Sequence, residues 1–467
     1  MKVNLDNIIL NRLDILVKYL YIKGFVENKN KDFYTKLYKK HIQLYNWWVE
    51  DNKESVNDFI KSFNNLIFSF KRNWFDTNYK IPINKNWFIL NWAHRLACCL
   101  YFWVKPIFQV VENNDNLIWW FDWFKNNFSR DEFLFLLWEL DKFIELDVIL
   151  LWNSYFDKFN FLKEYLEKIW VSIIWDYDLN LDKHSFIEFI NDIYSYDSVI
   201  LNSHIYEKAI DLLKYKPSIK LIVLKKQKIS NKKQLKEKVR RYILKKWDKI
   251  YNTFHWWDDK NEEQYIKNII FSYENVRYLT LRTLNFDNNF LNLLKKLENF
   301  LIKNNFSKDE VCIVWSWPLW VFWLDKVSDI DLIKKDVNNS WILNEWDIDI
   351  LDYQYHYTIT NESIIKDSLY HFYFRGFKFI KLNLLLEVKT KWLREKDMKQ
   401  VSKIRDFLNK NVQQSNFYDK VIFNIKFLKS RFLVKIVNFW INFTKKLWIY
   451  NKVSYFWRKY ILRKKNL

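Results

Sequence analysis

Glycine is almost missing from this sequence: two Gly stand among 467 residues, beside 26 Trp. Ordinary chains carry about 7% Gly, roughly 33 residues at this length. Two cannot supply the left-handed turns and helix ends that a compact fold of this size requires. Cysteine is scarce too. Its three positions, two of them the adjacent Cys98 and Cys99, exclude a disulfide framework and a cysteine metal site, and fit a reducing cytoplasm. Long apolar runs are absent, so no membrane-spanning helix is expected. Asp and Lys interrupt the apolar residues of Met1 to Leu20, so no signal peptide is expected either. Acidic residues stop at Asp419.

What is present argues for a folded, multidomain protein. Half of the residues are hydrophobic, which excludes a disordered chain, and the length suits two to four domains. The Trp sit where Gly belongs. They follow Asn in turn-like pairs (Asn73-Trp74, Asn86-Trp87, Asn91-Trp92), they form doublets (Trp47-Trp48, Trp119-Trp120, Trp256-Trp257), and they end helix-like runs, as at Trp170. Trp and Gly together make about 6% of the chain, close to an ordinary Gly content. Reading UGA codons as Trp in an organism that translates them as Gly produces this pattern. The Lys-, Asn- and Ile-rich, Pro-poor composition suits an AT-rich genome. Many of these Trp are therefore expected to be Gly in the natural protein.

The net charge is +21, and it is uneven. Residues 420–467 hold 13 Lys and Arg, no acid, and many interleaved apolar residues. That pattern predicts a basic amphipathic helical tail able to lie on an anionic membrane surface, with nucleic acid as the less favoured partner. The protein is thus expected in the cytoplasm, peripheral to the membrane where the tail engages it.

Apolar periodicity predicts α/β and α+β architecture in four parts. Residues 1–125 read as helices plus a small α/β domain. Residues 126–290 alternate short apolar runs (148–151, 171–174, 199–201, 221–224) with amphipathic helices, which predicts βαβ units and a parallel sheet. Residues 291–412 read as an α+β domain, and residues 413–467 as the tail.

The motif that carries most chemistry runs from Val311 to Leu332. Read with Gly at 315, 317, 320 and 323, it is a strand, a Gly-Ser-Gly loop at Trp315-Ser316-Trp317, a short helix, and a second strand containing Asp329-Ile330-Asp331. Such a loop lets backbone N–H groups approach a phosphate, and Ser316 can donate to it. On a strand the two Asp share one face while Ile330 and Leu332 face the core. Paired carboxylates suit Mg²⁺ or Mn²⁺ and substrate phosphates. Over residues 291–408 the chain resembles the nucleotidyltransferase superfamily, of the kind encoded with surface-polysaccharide genes. The resemblance implies transfer from a nucleoside triphosphate to a sugar-like or phosphorylated acceptor. It also implies a third carboxylate, for which Asp349 is preferred over Asp347 and Asp352. Lys389 and Lys396, after a hairpin at 371–380, are candidates to neutralise nucleotide phosphates; pairing with Glu395 or Asp397 is the alternative.

A second region, Tyr79 to Ile107, reads as strand, turn, Ala93-His94-Arg95 at a helix start, and strand. It resembles the ParB/sulfiredoxin-like fold, which implies a phosphate site at His94 and Arg95. A weaker motif, His255-Trp256-Trp257-Asp258-Asp259 with Glu262 and Glu263, reads foremost as acids at a helix N-terminus. The functional expectation is a Mg²⁺-dependent nucleotidyl or phosphoryl transferase. A nucleic-acid-binding or -modifying protein and a non-catalytic regulatory member of the fold are the alternatives. The glycine reading is open to direct test. The intact mass of protein from its native source is expected well below 58.4 kDa. Recovery of Trp92, Trp315 and Trp317 as tryptophan by peptide sequencing rules it out.

Overall fold

Four helices arise where apolar residues recur at helical spacing near the start of the chain. In the computed structural model they are α1 (Leu5–Asn11), α2 (Asp14–Glu27), α3 (Lys31–Leu44) and α4 (Val56–Asn73). The structure describes residues 5–44, 53, 55–73, 80–85, 88–90, 92–112, 121–169, 171–196, 203–225, 232–246, 248–257, 259–282, 288–326, 329–335, 344–345, 348–350, 359–392 and 394–409. The basic tail and the apolar run 199–201 lie outside the described residues. The fold is mixed helix and sheet. One compact unit holds Met1–Asn127 and another holds Phe128–Gln413.

In the first unit β1 (Ile81–Ile83) pairs in parallel with β2 (Phe108–Val110), with α5 (Ala93–Tyr101) as the crossover. A further helix, α6 (Phe121–Asn127), ends the unit. Helix α2 packs on α3 and α5. Buried among these elements, Asp14 accepts from Arg12 Nε at 2.8 Å and from Lys18 Nζ at 2.5 Å. Arg12 Nη1 also donates to the Ile89 carbonyl at 2.7 Å, tying the α1–α2 junction to the segment before α5. Helix α5 ends in a Schellman arrangement: Val104 N–H donates to the Cys99 carbonyl at 3.0 Å while Trp103 takes φ 57°. That position is where Gly is ordinarily found. Trp103 is 93% exposed, so no packing offsets the cost of its Cβ there.

The second unit begins with α7 (Arg130–Asp141), started by a capping box in which Ser129 and Glu132 satisfy each other's backbone N–H. Then come β3 (Leu146–Trp152), α8 (Phe159–Lys168), β4 (Ile173–Asn180), α9 (Lys183–Tyr194), α10 (Ser203–Leu212), β5 (Ser218–Lys225), α11 (Lys232–Ile243), β6 (Phe254–His255) and α12 (Lys260–Phe271). The sheet order is β4-β5-β3-β6, and every neighbouring pair is antiparallel. The parallel sheet expected for 126–290 is therefore corrected. Strands β3 and β4 do run the same way, as a single-helix crossover requires, but they are not neighbours. Strand β5 inserts between them, and two helices precede it, so the chain returns from the opposite end.

The rest of this unit is α13 (Asn275–Leu279), α14 (Asn288–Lys303), β7 (Val311–Ile313), α15 (Trp317–Val321), β8 (Ile330–Lys334), β9 (Asn344–Glu345), β10 (Ile348–Ile350), α16 (Asn361–Lys366), β11 (His371–Phe374), β12 (Phe377–Ile380), α17 (Leu382–Trp392) and a helix over 395–409. Six strands form a mixed sheet in the order β11-β12-β7-β8-β10-β9. The β11–β12 hairpin turns at Arg375 (φ 48°) and Gly376 (φ 85°), both left-handed as a type I′ turn demands.

Buried charge holds this hairpin to α9. Asp192, fully buried, accepts from Arg282 Nη1 at 2.5 Å and from the Arg375 backbone N–H at 3.0 Å. Arg282 also donates to the Tyr373 carbonyl, and Tyr265 Oη donates to the Asp192 carbonyl at 2.6 Å. Removing one member of a buried pair strands the other. Asp192→Ala is expected to lower the unfolding free energy by about 3–5 kcal/mol, with the double change Asp192→Leu/Arg282→Met losing less. Denaturant titration checks this; a single variant as stable as the parent counts against it.

Candidate functional site

Strand β8 alternates as its sequence dictates: Ile330 and Leu332 are fully buried and Asp331 between them is half-buried. Strand β10 repeats the pattern with Ile348, Asp349 and Ile350. The two pair in parallel with Asp349 opposite Asp331, Ile348 opposite Ile330 and Ile350 opposite Leu332. Register partners in a parallel pair share a face, so the two carboxylates lie side by side on the face away from the isoleucines. Asp349 Oδ1 is buried with no hydrogen-bond partner. Asp329 stands one residue outside β8 and is exposed. Among the described residues no three His, Cys, Asp or Glu are grouped closely enough to hold a metal ion. The other candidates for the third carboxylate, Asp347 and Asp352, lie outside the described residues.

The loop at 315–317 sits beside this pair, because Val314 N–H donates to the Asp331 carbonyl at 3.0 Å. Ser316 caps α15. Its hydroxyl donates to Gln400 Oε1 at 3.2 Å and accepts from Lys389 Nζ at 3.3 Å. Lys389, 2% exposed, also pairs with buried Asp397 at 3.0 Å, and Arg394 Nε bonds the second Asp397 oxygen. Burial lowers the Lys389 ammonium below its usual range, with Asp397 opposing the shift. At Asp397 burial acts to raise the carboxyl, but the hydrogen bonds from Arg394 and Lys389 outweigh it and hold it low. Gln400 Nε2 reaches Asp325 Oδ2 at 2.7 Å. Ser316, Lys389, Asp397 and Gln400 thus form one network next to the carboxylate pair. Lys396 is exposed, and its charge acts on the network only by adding to the lowering of Lys389.

Sequence reasoning singled out Ser316 and Lys389 and named Asp397 as a possible partner of Lys389. It gave no role to Gln400 or Asp325, which meet Ser316 and each other only through packing of the 395–409 helix, whereas Arg394 stood in the Arg394-Glu395-Lys396-Asp397 run that the resemblance rests on. The indoles crowd the loop. Trp315 takes φ 55°, Trp317 is fully buried against Phe290 with ring centroids 5.1 Å apart, and its N–H donates to the Asp329 carbonyl. Helix α15 ends in a second Schellman arrangement, with Leu324 N–H on the Leu319 carbonyl at 2.8 Å and Trp323 at φ 58°.

The structure places His94 and Arg95 in the first turn of α5, where the sequence puts them. The two rings of contact differ. His94 Nε2 lies 2.9 Å from Tyr38 Oη, and its ring packs edge-on against Phe63 at 4.5 Å. The Arg95 guanidinium lies 4.9 Å from the Trp92 ring centroid. His255 pairs with Glu262 at 3.2 Å, while Asp259 caps α12 by accepting from Asn261 and Glu262 N–H groups. No described helix is long and apolar enough to cross a membrane. No protein-family model matches the chain, and neither does any curated protein or solved structure.

The buried imidazoles of the first unit make its stability depend on pH. Burial, reinforced by Lys18, lowers His41 to about 3 and pushes His94 well below its ordinary value. In the unfolded chain each takes up a proton near 6.5. Below that pH the unfolded state binds more protons than the folded state, so stability falls with falling pH. The slope is up to about 1.4 kcal/mol per pH unit for each His. Melting between pH 7 and pH 5 is expected to show the loss, and His41→Phe to flatten it by about half. A His41→Phe profile parallel to the parent's excludes this origin.

Proposed function

We propose that the Phe128–Gln413 unit is a Mg²⁺-dependent nucleotidyl or phosphoryl transferase of nucleotidyltransferase type. Its donor is a nucleoside triphosphate, and its acceptor a sugar, polyol or related phosphorylated precursor of a surface polysaccharide. The observation that carries the reading is the register match of Asp331 with Asp349 beside the Ser316 loop. The donor set suits a hard cation, and the unpartnered buried oxygen of Asp349 is the kind of group a cation satisfies. Mg²⁺ commonly takes one or two carboxylates and completes its shell with water and substrate phosphates, so a closed three-residue cage is not required. When bound, it would be held by Asp331 and Asp349 and would neutralise charge on the transferring phosphoryl group.

The chain's own residues supply the rest. Ser316 can donate its hydroxyl to a phosphate oxygen in place of Gln400. Lys389 lies within reach of the same oxygen and brings a positive charge that a phosphate can share with Asp397. Asp397 and Arg394 keep that ammonium pointed at Ser316. The acceptor hydroxyl needs a carboxylate to take its proton, a role for the exposed Asp329 just before β8.

We also propose that Trp92, Trp103, Trp315 and Trp323, with most of the other Trp, are glycine in the natural protein. Four of the nine left-handed non-glycine residues among those described are these Trp, and three more are Asn, which tolerates the conformation. The buried indole N–H groups of Trp152, Trp257 and Trp320 have no acceptor, a cost that glycine removes. Glycine at 315 and 317 empties the space beside Ser316 that a phosphate needs.

Asp331→Asn and Asp349→Asn keep shape and remove charge. Each is expected to lower Mg²⁺-dependent transfer from a nucleoside triphosphate by more than about 100-fold, with the melting temperature nearly unchanged. The assay is run on chains with glycine at 315, 317, 320 and 323. Transfer that survives both changes, or that proceeds equally with chelator, overturns the proposal.

A further inference from the structure

Among the described residues, most buried lysines are paired with acids. Lys18, Lys267, Lys381 and Lys389 face Asp14, Asp141, Glu274 and Asp397 at 2.5, 2.9, 3.8 and 3.0 Å. Lys208 of α10 is 6% exposed, and among the described residues no carboxylate pairs with it. Its Nζ donates to Tyr194 Oη at 2.5 Å and to the Tyr251 carbonyl at 2.8 Å. The rings of Trp152, Tyr194 and Tyr251 stand around Nζ, with centroids at 4.8, 4.8 and 5.7 Å. An ammonium held among aromatic rings without a counter-charge is costly, and a lysine relieves that cost by giving up its proton.

The neighbours of Lys208 form a chain of proton carriers. Tyr194, at the end of α9, lies 3.4 Å from His255 Nδ1, and His255 Nε2 lies 3.2 Å from Glu262 Oε1. Four elements, α9, α10, β6 and α12, converge to align them. Burial raises the Tyr194 hydroxyl above its usual range, so it stays protonated and able to donate. Burial lowers His255, with Glu262 opposing, so its ring is neutral and able to accept. Burial, with repulsion from Arg240 of α11, brings Lys208 down to about 7. About half of it is then neutral at pH 7, against about one part in 2,500 for an exposed lysine.

We propose that Lys208 is the nucleophilic amine of a second site, which condenses with a small aldehyde or ketone to a Schiff base, with Tyr194 as the proton relay, aligned by His255 and Glu262. The neutral Nζ forms the C–N bond while the carbonyl π pair moves to oxygen, which takes the proton of Tyr194. The nitrogen returns a proton to Tyr194, leaving a neutral carbinolamine. Its hydroxyl departs as water with a second proton from Tyr194, the C=N bond forms, and the iminium proton reloads the tyrosine. Arg240 offsets the transient negative charge on Tyr194. One amine and one carbonyl give one imine and one water, with no oxidant or reductant. The site is separate from the transferase network and does not rest on that reading.

The indole of Trp152 covers Lys208, and glycine at 152 would open that side to a ligand. The test therefore uses the full chain both with Trp152 and with Trp152→Gly, each shown to be folded by circular dichroism. Each is incubated with glyoxylate or with propanal, plus sodium cyanoborohydride, at neutral pH, and adducts are mapped by peptide mass spectrometry. Lys208 is expected to be modified at least about tenfold faster than the exposed Lys214 and Lys399 in at least one of the two chains. The rate should rise as pH passes through 7. Tyr194→Phe should slow the adduct several-fold, and Lys208→Arg should abolish the selective adduct. Labelling of Lys208 no faster than Lys214 in both chains overturns the site, and an unchanged rate in Tyr194→Phe overturns the relay.

Discussion

A single buried carboxylate, Asp192, governs the second unit. It lies at zero exposure and gathers donors from Arg282 and from the backbone at Arg375. Its charge demands compensation, because an isolated ion in that environment would cost several kcal/mol. Arg282 meets the demand from the segment after α13, and Arg375 and Glu188 add a second pair at 3.7 Å, so the buried charges balance. The consequence is geometric. The helix that carries Asp192 belongs to the antiparallel sheet layer, and the turn that carries Arg375 belongs to the six-stranded sheet. Satisfying one carboxylate fixes the hairpin, and the hairpin fixes β12, which pairs with β7 ahead of the Ser316 loop.

The same logic separates the two lysines that matter chemically. Lys389 is buried beside Asp397 and keeps a partner, which favours its charged form. Lys208 is buried among rings with only a phenol and a carbonyl to bond, so its stable form is closer to the free amine. Environment, more than residue type, is what suits one to the phosphate contact proposed for it and the other to the nucleophilic role proposed for it.

Backbone conformation adds a constraint that side chains cannot relieve. Both Schellman ends, at Trp103 and Trp323, and the loop at Trp315 require left-handed residues. Asn305 meets the same need after α14, where Phe306 N–H reaches the Leu301 carbonyl at 2.8 Å. An indole at such a position must stand in solvent or displace whatever the loop is shaped to receive. At the loop beside Asp331 the Trp315 indole is instead buried.

Much of the local structure was legible in the residues. The two-residue period of Ile330-Asp331-Leu332 and Ile348-Asp349-Ile350 sets which side chains face the core, and the turn at Arg375-Gly376 marks its hairpin. The Ala93-His94-Arg95 helix start and its flanking strands were equally visible. Strand direction in the central layer was not, because alternating strands and helices leave open which strand inserts between which. Only packing placed β5 between β3 and β4. Nor could spacing alone bring Gln400 to Ser316, or Tyr194 to Lys208 and His255, since these residues meet from separate helices and strands. Periodicity is written in neighbouring residues and so belongs to the sequence. Register between distant strands, and the loss of water around a lysine, exist only when the chain has closed on itself.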